Sequence, residues 1–140
     1  MWLINTGTFE LERWDNYKKG SYAILSHTWG DDEISFQEIQ ELESARKKRG
    51  FAKIECTVLM ARARNLKFAW VDTCCIDKTS SAELSEAINS MYKWYEDSGV
   101  CFAYLSDMPA QSKVQHQISR TDSDAMVTKH LPRKSCWGRC

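Results

Sequence analysis

Three short runs rich in β-forming residues divide this chain, and the stretches between them carry helical spacing. The runs are Tyr22-Ala23-Ile24-Leu25-Ser26, Phe68-Ala69-Trp70-Val71-Asp72 and Val100-Cys101-Phe102-Ala103-Tyr104-Leu105. Each is nearly continuous in apolar character, as expected of a strand buried on both faces. After the first run, Ser35 and Glu38 form a capping box, Phe36, Ile39 and Leu42 follow at helical spacing, and Gly50 supplies a stop. A second helix is expected from Phe51 to about Asn65. Its inward stripe is Phe51, Ile54, Val58 and Leu59, with Lys53, Arg62 and Arg64 free to reach solvent. After the second run, Ser80 and Glu83 form another capping box, and Glu83 and Glu86 suit the first turns of a helix. Leu84, Ile88, Met91, Tyr92 and Tyr95 share one face of that helix, and Gly99 ends it. Trp94 falls off this stripe and is a candidate partner surface.

Strand, helices, strand, helix, strand predicts an α/β domain: a mostly parallel sheet with helices on both faces. Trp2-Leu3-Ile4 and the run from Phe9 to Trp14 flank the turn-forming Asn5-Thr6-Gly7-Thr8, which adds a short N-terminal β-hairpin. The pattern fades after Ser106, and Gln111 to Lys129 is polar without an apolar stripe. The domain core is therefore assigned to residues 1–107. Residues 108–140 are read as a variable loop and the incomplete C-terminal part of the same domain.

Composition removes several function classes. The 19 Lys and Arg balance 19 Asp and Glu, so the basic excess of a phosphate-neutralising nucleic-acid binder is missing. No apolar run approaches the ~20 residues that span a bilayer, and Met1 to Thr6 does not resemble a signal peptide. A cytoplasmic protein is expected, with its six Cys as reduced thiols.

Ligands of open parallel sheets sit beyond the carboxyl ends of the strands. Three loops should gather there: Ser26-His27-Thr28-Trp29-Gly30, Asp72-Thr73-Cys74-Cys75-Ile76-Asp77, and Ser106-Asp107. Ser26, His27, Trp29, Gly30, Asp72, Cys75 and Asp77 are the candidate pocket residues. His27 has the chemistry of a general base or of a group that only bonds backbone. Asp72 and Asp77 either position a hydroxyl-rich ligand or cap the loop and the next helix. Cys75 beside His27 would make a thiol nucleophile pair, while a buried inert thiol is the commoner role. Trp29-Gly30 serves a pocket wall or plain packing equally well. No metal site is expected, because His130, Cys136 and Cys140 lack paired zinc-ligand spacing and a fourth ligand. No glycine-rich phosphate loop is present in the sequence.

Several of these segments together resemble one family. The stretch from Tyr22 to Gly30 resembles the opening signature of the fungal heterokaryon-incompatibility (HET) domain, and Trp70 to Lys78 its second signature. Ser80 to Tyr95 resembles the helix that follows, and Cys101 to Asp107 the next strand. The resemblance implies programmed cell death in self/non-self recognition, through self-association or docking to a protein partner. It also implies a TIR-like, flavodoxin-like fold. The alternative it implies is a TIR-type hydrolase acting on NAD or a related nucleotide, with no other cofactor expected. Family members continue into Ser-x-Trp-Phe-x-Arg-Gly-Trp-Thr-Leu-Gln-Glu-Leu. Ser135-Cys136-Trp137-Gly138-Arg139-Cys140 is similar only to its start. On that resemblance the chain is expected to be a C-terminally truncated member lacking the TIR-type catalytic carboxylate.

Overall fold

The computed structural model describes residues 1–105 and 136–139, the latter as a strand. The turn chemistry at Asn5 does build a hairpin, between β1 (Trp2–Asn5) and β2 (Leu11–Arg13). Its second strand starts later than the run from Phe9 suggests. Phe9 adopts φ 67°, a left-handed conformation that a bulky residue rarely takes, so the turn extends to Glu10. The Phe9 ring stacks on Phe51 at 5.8 Å, and Arg46 lies 5.3 Å from its centroid.

The first apolar run becomes β3 (Tyr22–His27). Ser35 and Glu38 do exchange the bonds of a capping box, but no long helix follows. A 3-10 turn at Glu38–Gln40 and the single-turn α1 (Leu42–Ala45) replace it. Glu41, at φ −103° and ψ 68°, breaks the helical path between them. The Lys48 ammonium draws the segment round itself, donating to the Glu33 carbonyl and to Glu38 Oε1.

Gly50 starts the next helix, α2 (Phe51–Ala63), instead of stopping the previous one. A Cβ there would sit 2.3 Å from the Asp32 carbonyl oxygen, so only glycine lets the chain approach this closely. Asn65 at φ 58° closes α2 in the left-handed position usual beyond a helix end. Phe51, Ile54 and Val58 are buried as expected, but Leu59 is exposed; Cys56, Thr57, Met60 and Ala61 widen the buried face instead.

β4 (Phe68–Trp70) leads through a loop to α3 (Ser81–Asp97), whose N-cap Ser80 accepts from the Glu83 amide. The expected stripe of α3 is rotated. Ile88 and Tyr92 face solvent, whereas Ala87 and Trp94 are buried and Leu84 and Met91 half-buried. The true stripe, Leu84, Ala87, Met91 and Trp94, steps by three and four residues. β5 (Val100–Leu105) and β6 (Cys136–Arg139) complete the described elements.

Among the described residues these strands form one six-stranded sheet in the order β2-β1-β4-β3-β5-β6. β4 and β5 both run parallel to β3, while the β1–β2, β1–β4 and β5–β6 pairs are antiparallel. The sheet is therefore mixed, and the expectation of a mostly parallel one is corrected. The hairpin enters beside β4 through β1, and an antiparallel strand closes the far side of β5. The parallel centre is the part joined by helical crossovers, as parallel pairing requires.

Strand alternation gives each face of the centre its own helix. His27 on β3 and Tyr104 on β5 meet Lys53 of α2. On the other face, the Tyr22 hydroxyl donates to the Trp94 carbonyl of α3, and Trp70 packs edge-on against Trp94 at 5.6 Å. Trp70, Tyr22, Ile24 and Leu25 are fully buried between these layers. Trp94 thus belongs to the core, and its reading as a partner surface is corrected: the ring of Trp70 needs it as a wall.

Candidate functional site

The loops after β3 and β4 meet at the carboxyl edge of the sheet, and His27 and Asp72 join them. His27 Nε2 lies 2.9 Å from Asp72 Oδ1, and the His27 side chain is 1% exposed. The second carboxylate oxygen of Asp72 accepts from the Trp29 indole N–H at 2.8 Å. The other imidazole nitrogen, Nδ1, stands 3.4 Å from the Lys53 ammonium. An ammonium only donates, so Nδ1 accepts and the imidazole proton sits on Nε2, directed at Asp72. Lys53 also donates to the Thr28 carbonyl at 3.0 Å and pairs closely with Glu33. Glu33 Oε1 takes the Gly30 amide at 2.7 Å. The result is a continuous chain from Trp29 through Asp72, His27 and Lys53 to Glu33 and the backbone of Gly30.

Burial opposes the charge on Asp72, but the hydrogen bonds from His27 and Trp29, with nearby Lys78, outweigh it and hold the carboxyl below the usual range. Lys78 reaches the same place from the other side, its ammonium 3.8 Å from the Trp29 ring centroid. That contact fits a cation held by the negative face of an indole.

The remaining candidates hold the loops. Asp77 Oδ1 accepts from the Thr79 hydroxyl at 2.6 Å, the Thr79 amide at 3.0 Å and Gln37 at 2.9 Å. These bonds, that of the Thr79 hydroxyl first, hold Asp77 below the usual carboxylate range. Cys75 is 3% exposed, and its Sγ accepts the Val71 amide at 3.3 Å. The neighbouring Cys74 thiol is raised well above its ordinary value by its contact with Cys75 and then by burial. The structure therefore packs this thiol pair into the core, while His27 turns to Asp72 and Lys53. Ser26 is half-buried on the face of β3 opposite His27. Ser106, Asp107, His130 and Cys140 lie outside the described residues, as does the side chain of Cys136.

Two members of the network escape a reading of the sequence. Lys53 looks like a solvent-facing helix residue, and Glu33 like one acid in the run Asp31-Asp32-Glu33. The available signal is helical: Lys53 lies four residues before the buried Thr57 and three after Gly50, on the border of the buried face. Beside the network, Trp29, Gly30, Ile34, Phe36, Ile76 and Lys78 help to line an open groove of about 600 Å³, counting space shared with solvent. Trp29 is 57% exposed at its rim.

The segments that build this edge coincide with a known protein family. Residues 22–137 match the model of the heterokaryon incompatibility protein (HET) family, which is most of the chain. The chain belongs to that family. It is also 48% identical over 94 residues to vegetative incompatibility protein HET-E-1 of Podospora anserina. The matched stretch covers 66% of this chain and 7% of that protein, so the chain spans a small part of its relative. No solved structure matches the chain. Among the described residues no helix is long and apolar enough to cross a membrane.

Proposed function

We propose that this chain is an incompatibility-type effector domain in fungal self/non-self recognition, acting in the cytoplasm to promote programmed cell death by self-association or by docking to a protein partner. Family membership over residues 22–137 is the observation that carries this reading. The name of the Podospora anserina relative, a vegetative incompatibility protein, agrees with it.

The geometry favours docking over turnover. Both ring nitrogens of His27 are engaged and its side chain is 1% exposed, so the imidazole is poorly placed to take a proton from a substrate. Trp29, by contrast, stands exposed with its indole N–H fixed to Asp72. The network holds an aromatic side chain at the surface. The central order β4-β3-β5, with α2 and α3 on opposite faces, matches the 2-1-3 centre of a flavodoxin-like sheet and supports a TIR- or flavodoxin-like assignment.

The test pits association against hydrolysis. The purified 140-residue chain, examined by light scattering across a concentration series, should gain mass as concentration rises. Incubated with NAD at its highest concentration, it should leave the NAD intact. NAD loss that disappears in Asp72→Ala would overturn the docking reading in favour of a hydrolase.

A further inference from the structure

The groove beside Trp29 has the chemistry of a receptor for a cationic side chain. We infer that it binds an arginine presented by a protein partner, with the guanidinium stacked on Trp29 and paired to Asp31. This deepens the docking reading above and rests on it, because it names what the partner brings to the carboxyl edge.

Two observations converge on this ligand. First, the Trp29 ring already holds a cation. The Lys78 ammonium stands 3.8 Å from its centroid, while the ring remains 57% exposed. The indole is oriented by its N–H, which donates to Asp72 at 2.8 Å. Second, Asp31 lines the same groove as an exposed carboxylate with no hydrogen bond or ion pair among the described residues. The adjacent acids are engaged, Asp32 with Lys48 and the Arg49 amide, and Glu33 with Lys53.

Arginine satisfies both together. Its planar guanidinium stacks on an aromatic face and keeps five N–H donors in the plane for Asp31. Its aliphatic stem fits the apolar walls formed by Ile34, Phe36 and Ile76. Lys78 then acts as an internal competitor for the ring, and this gives the inference an unusual signature. Removing a positive charge from the site should tighten the binding of a positive ligand.

Fluorescence anisotropy with a labelled peptide, acetyl-Ala-Arg-Ala-Arg-Ala-amide, on the full 140-residue chain supplies the test. The peptide should bind, while its citrulline analogue, uncharged and of the same shape, should bind at least about tenfold more weakly. Lys78→Ala should tighten the arginine peptide about two- to fivefold, the factor an exposed cation–π contact carries. Asp31→Asn and Trp29→Ala should each weaken it about fivefold or more. Asp31 makes no hydrogen bond or ion pair among the described residues, so Asp31→Asn remains informative even if Trp29→Ala is poorly folded. Weaker binding in Lys78→Ala, equal binding of the citrulline peptide, or preference for a glutamate peptide would overturn the inference. Peptide binding is read on purified protein, so its failure leaves the light-scattering and NAD results standing. Intact peptide binding beside NAD loss that Asp72→Ala abolishes would sink the proposed function instead.

Discussion

The two long helices cover opposite faces of one sheet in very different ways. α2 buries seven of its thirteen residues, and α3 buries three of its seventeen. Beneath α2 the strands present Ala23 and Ala69, small residues at paired positions of β3 and β4, which let the helix approach closely. That approach carries Lys53 to the carboxyl edge, where it meets His27 and Glu33. α3 is held mainly through aromatic contacts, with Trp94 at 5.6 Å and Tyr95 at 6.2 Å from Trp70, and Ile88 and Tyr92 remain in solvent. One helix is clamped along its length and anchors the polar site. The other meets the core through a narrower stripe, Leu84, Ala87, Met91 and Trp94, and leaves its outer surface in solvent.

Trp94→Ala would strain this contrast most. Removing a nearly buried indole should cost about 3–5 kcal/mol in urea unfolding. A loss under about 1 kcal/mol would mean that α3 is not pinned there. Next comes Asp72→Ala, which leaves the buried His27 without its acceptor partner and frees Trp29. A loss of about 2–3 kcal/mol is expected, together with a change in the near-ultraviolet signal of the tryptophans. Gly50→Ala tests the clamped helix, because the added methyl meets the Asp32 carbonyl; about 1–3 kcal/mol should be lost.

Acid titration gives a smaller effect. Glu38 is lowered from its ordinary value of 4.5 to about 2 by the Ser35 amide, then by Lys48 and the Ser35 hydroxyl. A carboxyl lowered on folding stabilises fully above its unfolded value, and that stability is lost as pH falls through the folded value. Wild-type stability should therefore decline between pH 4.5 and about 2, and Glu38→Gln should flatten part of that decline. Asp72, also lowered, contributes in the same direction below the ordinary carboxylate range. Tyr92→Ala, on the outer surface of α3, should change stability by no more than about 0.5 kcal/mol.

What was legible in the sequence follows the same division. The β3, β4 and β5 runs were readable because strands buried on both faces leave continuous apolar text. The Ser80 cap was readable because its chemistry is local. The stripe of α3 reads about a sixth of a turn away from its true position, since Ile88 and Tyr92 look more apolar than the small Ala87 that faces the core. The segment after Ser35 reads as a longer helix than it forms, because a capping box signals a start but says nothing of the Lys48 contacts that fold the chain back. At the site, His27, Trp29 and Asp72 were placed together by topology alone. Lys53 and Glu33 were not, because their pairing depends on how deeply α2 settles against the sheet, a tertiary distance that helical spacing does not encode.

Trp29 is the surface that the buried network holds in place, and in a domain that acts by docking it should carry the effect. The direct measurement is the viability of filamentous fungal cells after induction of the 140-residue chain, compared with Trp29→Ala at equal soluble level. Death is expected with the unaltered chain and survival with the variant. Survival with soluble unaltered protein, or death undiminished by Trp29→Ala, would contradict that expectation.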